Sequence, residues 1–195
     1  MTIESPQVHP QASTPLADAQ QQTENWVRRF IVKYNICPFA RPDLDAGNMR
    51  YCVAQSAELE QILMAVIEEC GHMDAHPELS TSLFIIPQGV EQFDDYLDLL
   101  DIATALLEAQ GYDGVYQLAS FHPDYCFDGV APDDASNYTN RAPLPVLHII
   151  RESALAEALK GYQDPEAIPE RNIQFTRRKG GNFFELLLEG CRRPS

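Results

Sequence analysis

Long apolar runs and a secretory leader are both absent from the sequence. No apolar run reaches the roughly 18 residues that a membrane-spanning helix needs. The first 22 residues, MTIESPQVHPQASTPLADAQQQ, lack the basic start and following apolar stretch of a secretory signal. We therefore expect a cytoplasmic protein that has no membrane partner.

Basic residues are scarce throughout most of the chain. There are 14 Lys and Arg against 29 Asp and Glu, which gives a formal net charge of −15. Because this field repels nucleic acid, no nucleic-acid partner is expected. The segment from residue 169 to the end is locally basic, and we interpret it as a solvated helix face.

Closely spaced cysteine pairs are also missing. The five cysteines include no CxxC pair, which excludes a structural zinc site of the usual spacing. An odd number of cysteines in a chain without a secretory signal indicates reduced thiols rather than disulfides. We expect neither a bound metal nor another cofactor.

Composition divides the chain into two parts. Residues 1–23 are polar and show no apolar period, so they are interpreted as a disordered N-terminal arm. Residues 24–195 are long enough for one globular domain, and a hydrophobic content of 45% is ordinary for such a domain.

Apolar periodicity in residues 24–195 predicts the element order α-β-α-β-α-β-β-α-α. The predicted strands are MRYCVAQ, SLFIIP, VYQLASF and PVLHIIRE. Helical crossovers favour parallel first three strands, and the third and fourth are expected to pair antiparallel around a long loop. The fold class is therefore α+β (α/β-like), a four-stranded mixed sheet packed with helices, with a ferredoxin-like arrangement as the alternative.

The loop between the last two strands is the candidate site. It is more than twenty residues long, and loops of that length inside compact domains are usually functional. It also follows a strand whose carboxyl end lies at the edge where open sheets bind ligands. The predicted catalytic residues are His122, Asp124, Cys126 and Asp134, and the predicted substrate-binding residues are Asn137, Asn140 and Arg141.

These residue types suit an enzyme that acts on a small anionic metabolite. His122 would be the acid/base because histidine titrates near neutral pH, and Asp124 or Asp134 would orient it. Arg141 would hold the anion with its planar fork, and Cys126 would be an auxiliary group or nucleophile.

Two other functions remain open. Cys37, His122 and Cys126 could form a metal- or thiol-dependent binding module, although Pro123 disfavours a helix that would direct the last two to one ion. His148 is a poor ligand for that module because it lies about three residues inside the hairpin, roughly 10 Å from the loop. The protein could instead be a non-enzymatic interaction protein with acidic and basic surfaces.

Four motifs together resemble one protein family. They are CPFA, SFHPDYCFDG, DDASNYTNRAP and VLHIIRE, and the resemblance extends from Trp26 to Asn172. The chain resembles an uncharacterised bacterial family, the domain of unknown function numbered fourteen-fifteen. The resemblance implies a stand-alone, soluble, single-domain protein and assigns no activity and no site residue.

Overall fold

A computed structural model describes residues 16–193. The elements are α1 (Leu16–Trp26), a π-helix (Val27–Val32), α2 (Ala40–Ala46), β1 (Met49–Val53), α3 (Leu59–Ala75), β2 (Thr81–Ile85), α4 (Phe93–Ala109), β3 (Tyr116–Phe121), a 3₁₀ helix (Ala135–Thr139), β4 (Val146–Arg151), α5 (Glu152–Lys160), α6 (Ala167–Lys179) and α7 (Gly181–Arg192).

The four strands form one mixed sheet in the order β1-β2-β4-β3. β1 and β2 are parallel, and β4 runs antiparallel to both of its neighbours. The predicted fold class and the antiparallel pairing of the last two strands are confirmed. The ferredoxin-like alternative is not adopted, because an α-helix follows each of β1 and β2 and no α-helix separates β3 from β4.

Side chains alternate between the two faces of the sheet, and each face has its own helical cover. The front face is defined by one row across the sheet: Tyr51, Leu83, His148 and Ala119. It is covered by α1, the π-helix and α7, whereas α3 and α4 cover the back face. The sheet is therefore a middle layer with an apolar core on each side.

Helix α1 includes part of the segment that was predicted to be a disordered arm. Residues 16–23 belong to this helix, and Ala19 and Thr23 are fully buried in it, so the prediction of disorder is wrong for this stretch. With Trp26 and Phe30 they form a stripe at helical spacing, but alanine and threonine give only a weak apolar signal. The rest of the predicted arm, residues 1–15, lies outside the described residues.

The carboxyl ends of the first three strands meet at one edge of the sheet. Val53, Ile85 and Phe121 end β1, β2 and β3, and they lie in one row with Val146, where β4 begins. The long loop between β3 and β4 therefore leaves the sheet at this edge, as its sequence position predicts.

None of the helices within residues 16–193 is both long and apolar enough to cross a membrane.

Candidate functional site

His122, the predicted acid/base, is fully buried. Its Nε2 lies 3.2 Å from the carbonyl oxygen of Val90, and its Nδ1 accepts a hydrogen bond of 3.1 Å from the backbone N–H of Asp124. Both ring nitrogens are thus occupied by backbone groups. Burial beside the rings of Phe93 and Tyr96 lowers the pKa of His122. This geometry favours a neutral, structural histidine.

Asp124 and Cys126, the next two predicted catalytic residues, lie in the turns after His122. The carboxylate of Asp124 is exposed to solvent. The thiol of Cys126 donates to the carbonyl oxygen of Val130 across 3.3 Å and so closes a turn of the loop. Neither these two residues nor His122 lines the cavity on the front face of the sheet that is described below.

Asp134 joins the loop to α6. It caps the 3₁₀ helix by accepting from the backbone N–H of Ser136 at 2.8 Å, and it forms an ion pair of 2.9 Å with Arg177. The hydrogen bonds from Arg177 lower the pKa of Asp134 to about 2. The carboxylate is therefore fully ionised at neutral pH and is a poor proton donor or acceptor there.

The two asparagines hold the loop through its backbone. Asn137 is fully buried, accepts from the N–H of Phe127 at 3.1 Å and donates to the carbonyl oxygen of Ala131 at 2.9 Å. Asn140 donates to the carbonyl oxygen of Ser120 at 3.1 Å. A long loop needs such partners because its backbone groups lack the bonds of a regular element.

The guanidinium of Arg141 is also occupied by the loop. Its Nε donates to the carbonyl oxygen of Tyr125 at 3.0 Å, and its Nη2 donates to that of Pro132 at 2.9 Å. It also lies over the ring of Tyr138, 4.7 Å from the centroid. The ligand-binding role predicted for Arg141 stays a prediction, but the geometry favours a role in fixing the loop.

A cavity of about 610 Å³ lies on the front face of the sheet, and Asn140 is the one member of the predicted catalytic and substrate-binding set that borders it. The floor is formed by Met49, Leu83, Ala119, Phe121, His148 and Ile150. The cover is formed by Trp26, Val27 and Ile31, and one wall by Ile168 and Ile173 of α6. This size and apolar lining are typical of pockets for small molecules.

His148 is the polar group at the centre of the cavity floor. Its Nε2 forms a hydrogen bond with Thr81 Oγ1. The hydroxyl of Thr81 donates to the carbonyl oxygen of Ile149 at 2.9 Å, so Oγ1 accepts from Nε2 and the proton of the neutral ring resides there. The ring is enclosed by protein yet keeps accessible surface because it borders the cavity. Burial lowers the pKa of His148 to about 4, so the imidazole is neutral at pH 7.

Cys37 also borders the cavity. Burial raises the pKa of its thiol, and the backbone N–H groups of Phe39 and Ala40 oppose that shift only in part. The thiol is therefore protonated at neutral pH, whereas a nucleophilic cysteine needs its thiolate. His122 and Cys126, its predicted partners, do not border this cavity.

Apart from the indole N–H of Trp26, which is enclosed by protein and unpaired in the described part of the chain, the other polar side chains around the cavity have protein partners. Thr139 donates to a backbone carbonyl oxygen, Asn172 donates to that of Ile36 at 2.8 Å, and Arg177 is paired with Asp134. No three His, Cys, Asp or Glu side chains within residues 16–193 come together as metal ligands. The chemistry that the cavity offers is therefore an apolar surface with one imidazole.

His148 was not predicted from the sequence as a site residue, because only its distance from the loop was considered. A usable signal was present in VLHIIRE, where a single histidine interrupts an apolar strand. Alternation places His148 on the same face as Val146 and Ile150, opposite Leu147 and Ile149. The strand pattern does not indicate which helices cover that face, because this depends on the tertiary structure.

One family of proteins matches most of the chain. A family model described as "Protein of unknown function (DUF1415)" matches residues 18–185. The match includes the stretch from Trp26 to Asn172 that carries the four motifs, so the predicted resemblance to this domain of unknown function is confirmed, and the match says nothing of a bacterial origin. No curated protein and no solved structure matches the chain.

The substitution His122→Asn is expected to lower the free energy of unfolding by about 1–3 kcal/mol, because it disrupts a buried group that two backbone partners satisfy. Urea denaturation of the two proteins measures the difference. Asp124→Asn is the matched control and should change stability by less than about 0.5 kcal/mol, since that side chain is exposed. Near-native stability of His122→Asn would contradict the structural role.

His148 is expected to make folding stability depend on pH between about 6.5 and 4. The unfolded chain takes up a proton on this residue below its ordinary pKa of 6.5, whereas the folded chain resists protonation down to about 4. Stability should therefore fall as the pH falls through this window, by up to about 3 kcal/mol. Denaturation at a series of pH values should show this loss in the wild type and a smaller one in His148→Phe. Equal losses in both proteins would refute the assignment.

Proposed function

We propose that this chain, which belongs to the DUF1415 family of proteins of unknown function, binds a small and largely apolar molecule in the front-face cavity. The observation that carries the proposal is the cavity itself, about 610 Å³ of space between the centre of the sheet and its helical cover. Pockets for small molecules have this size range and this apolar character.

The energetics of packing support a ligand for this space. Protein interiors are packed as densely as organic crystals, and an apolar void lowers stability in proportion to its volume. A ligand restores the lost contacts, and each Å² of apolar surface that it buries contributes roughly 25 cal/mol. A partly open apolar cavity of this size is therefore better explained by an occupant than by imperfect packing.

The cover of the cavity gives a second line of support. Val27 and Ile31 reach the cavity from the π-helix Val27–Val32. Single turns of π-helix are rare and occur frequently at functional sites, because they displace side chains from the regular helical register. Here the turn follows directly on α1 and directs apolar side chains towards the sheet.

The two arginines nearest the predicted site argue for an apolar ligand in place of an anionic one. Arg141 donates to two carbonyl oxygens of the loop, and Arg177 is paired with Asp134 at the cavity wall. An anion in the cavity would have to compete with Asp134 for Arg177, because Arg141 does not border the cavity. An apolar molecule requires no such exchange.

Proton transfer by His148 is the second candidate function, since its imidazole borders an otherwise apolar cavity. It would retain the enzyme hypothesis with His148 in the place of His122. Its pKa of about 4 makes it a weak base at neutral pH, so binding is the better supported function.

A cytoplasmic location is part of the proposal. It is supported by the five cysteines, all of which are free, because oxidising compartments favour disulfides. The net charge of −15 supports a small molecule rather than nucleic acid as the partner.

Filling the cavity should weaken binding without unfolding the protein. The probe is the neutral dye N-phenyl-1-naphthylamine, and Trp26, the single tryptophan, borders the cavity and can transfer excitation energy to it. We expect saturable binding to the wild type, with energy transfer, and at least about tenfold weaker binding to Ala119→Leu, since the added carbons occupy ligand space.

The matched control is Ala105→Leu, which adds the same atoms at an exposed position of α4 on the back side of the sheet. It should bind the dye as the wild type does. Circular dichroism should show that both variants are folded. Wild-type affinity of Ala119→Leu, or no saturable binding to the wild type, would overturn the proposal.

A further inference from the structure

We propose that the ligand of this cavity carries a neutral hydroxyl group, as an alcohol or phenol does, which donates a hydrogen bond to Nδ1 of His148. This inference rests on the proposed function, because it specifies the chemistry of a molecule bound in the same cavity. It assigns to the site a class of ligand with one polar donor and an apolar remainder, and it disfavours carboxylates and ethers.

The inference depends first on the tautomer of His148, in which Nε2 carries the proton. Thr81 is buried, and its hydroxyl has one proton, which it donates to the carbonyl oxygen of Ile149 at 2.9 Å. With that donation the lone pairs of Thr81 Oγ1 face His148, so we assign the ring proton to Nε2. Nδ1 of a neutral ring with that tautomer is an acceptor and cannot donate.

The second step is that Nδ1 has no donor from the described part of the chain. The hydrogen bonds of His148 within residues 16–193 involve Nε2 alone, and its nearest aromatic neighbour on the floor, Phe121, has no polar hydrogen. Nδ1 nevertheless keeps accessible surface, since it is not among the fully enclosed polar atoms without a partner. Because this ring borders the cavity, a molecule bound there can supply the donor in place of water.

The third step concerns the charge of the ligand. His148 is neutral at pH 7 because burial lowers its pKa to about 4. A carboxylate would meet the lone pair of Nδ1 without a compensating positive charge, and removing it from water is costly. An ether has no proton to donate and would leave Nδ1 unpaired. A hydroxyl group satisfies the acceptor without adding charge.

Three ligands with the same ring system test the inference: 2-naphthol, 2-methoxynaphthalene and 2-naphthoate. Their dissociation constants are measured by isothermal titration calorimetry at pH 7. For the wild type we expect 2-naphthol to bind about tenfold more tightly than the methoxy compound, as one net hydrogen bond provides. We expect 2-naphthoate to bind most weakly.

The variant His148→Phe replaces one ring by another and leaves the hydroxyl of Thr81 bonded to Ile149. In this variant the preference for 2-naphthol over the methoxy compound should disappear, while both compounds still bind. The wild-type ranking is an independent test that does not require the variant to fold.

The outcomes separate this inference from the proposed function. If the methoxy compound or 2-naphthoate equals or exceeds 2-naphthol in the wild type, the hydroxyl assignment is wrong and an apolar site remains. A preference that persists in His148→Phe also overturns the assignment. If neither the naphthalene compounds nor N-phenyl-1-naphthylamine binds, the proposed function fails as well.

Discussion

The central position of β4 determines how the rest of the front face is arranged. β4 is hydrogen-bonded to β2 on one side and to β3 on the other, and helices cover both faces of the sheet. Every side chain of its middle residues must therefore be accommodated inside the protein. His148 is the polar exception: Thr81 occupies its Nε2, Nδ1 has no partner within residues 16–193, and the residue borders the cavity. The cavity and its polar group thus both follow from the placement of one strand.

The long loop after β3 has a supporting role in this arrangement. Its buried and half-buried polar groups, among them Asn137 and Arg141, bond to carbonyl and N–H groups of the same loop. These bonds give the loop a defined shape, and Phe127 and Val130 from it line the cavity. The polar richness of the loop is therefore explained by the needs of its own backbone, since a segment without strands or long helices has few internal partners.

The sheet could be predicted from the sequence because its signals are local. Apolar runs separated by helical patterns indicated the four strands, and the long connection indicated the antiparallel pair. The helical start at Leu16 could not be predicted, since the burial of Ala19 and Thr23 depends on contacts with distant elements. The cavity was equally inaccessible, because α6 supplies one of its walls from a distant part of the chain. His122 was favoured over His148 because a loop position is a common functional signal, whereas the partners of a ring nitrogen become known only from the fold.

A crystal structure determined under xenon pressure would show whether the front-face cavity is open to an apolar guest, because xenon enters apolar cavities without requiring a particular ligand. We expect xenon density on the front face of the sheet, in contact with Ala119 and adjacent to the ring of His148. Side chains that fill this space and leave no xenon site on that face would contradict the account.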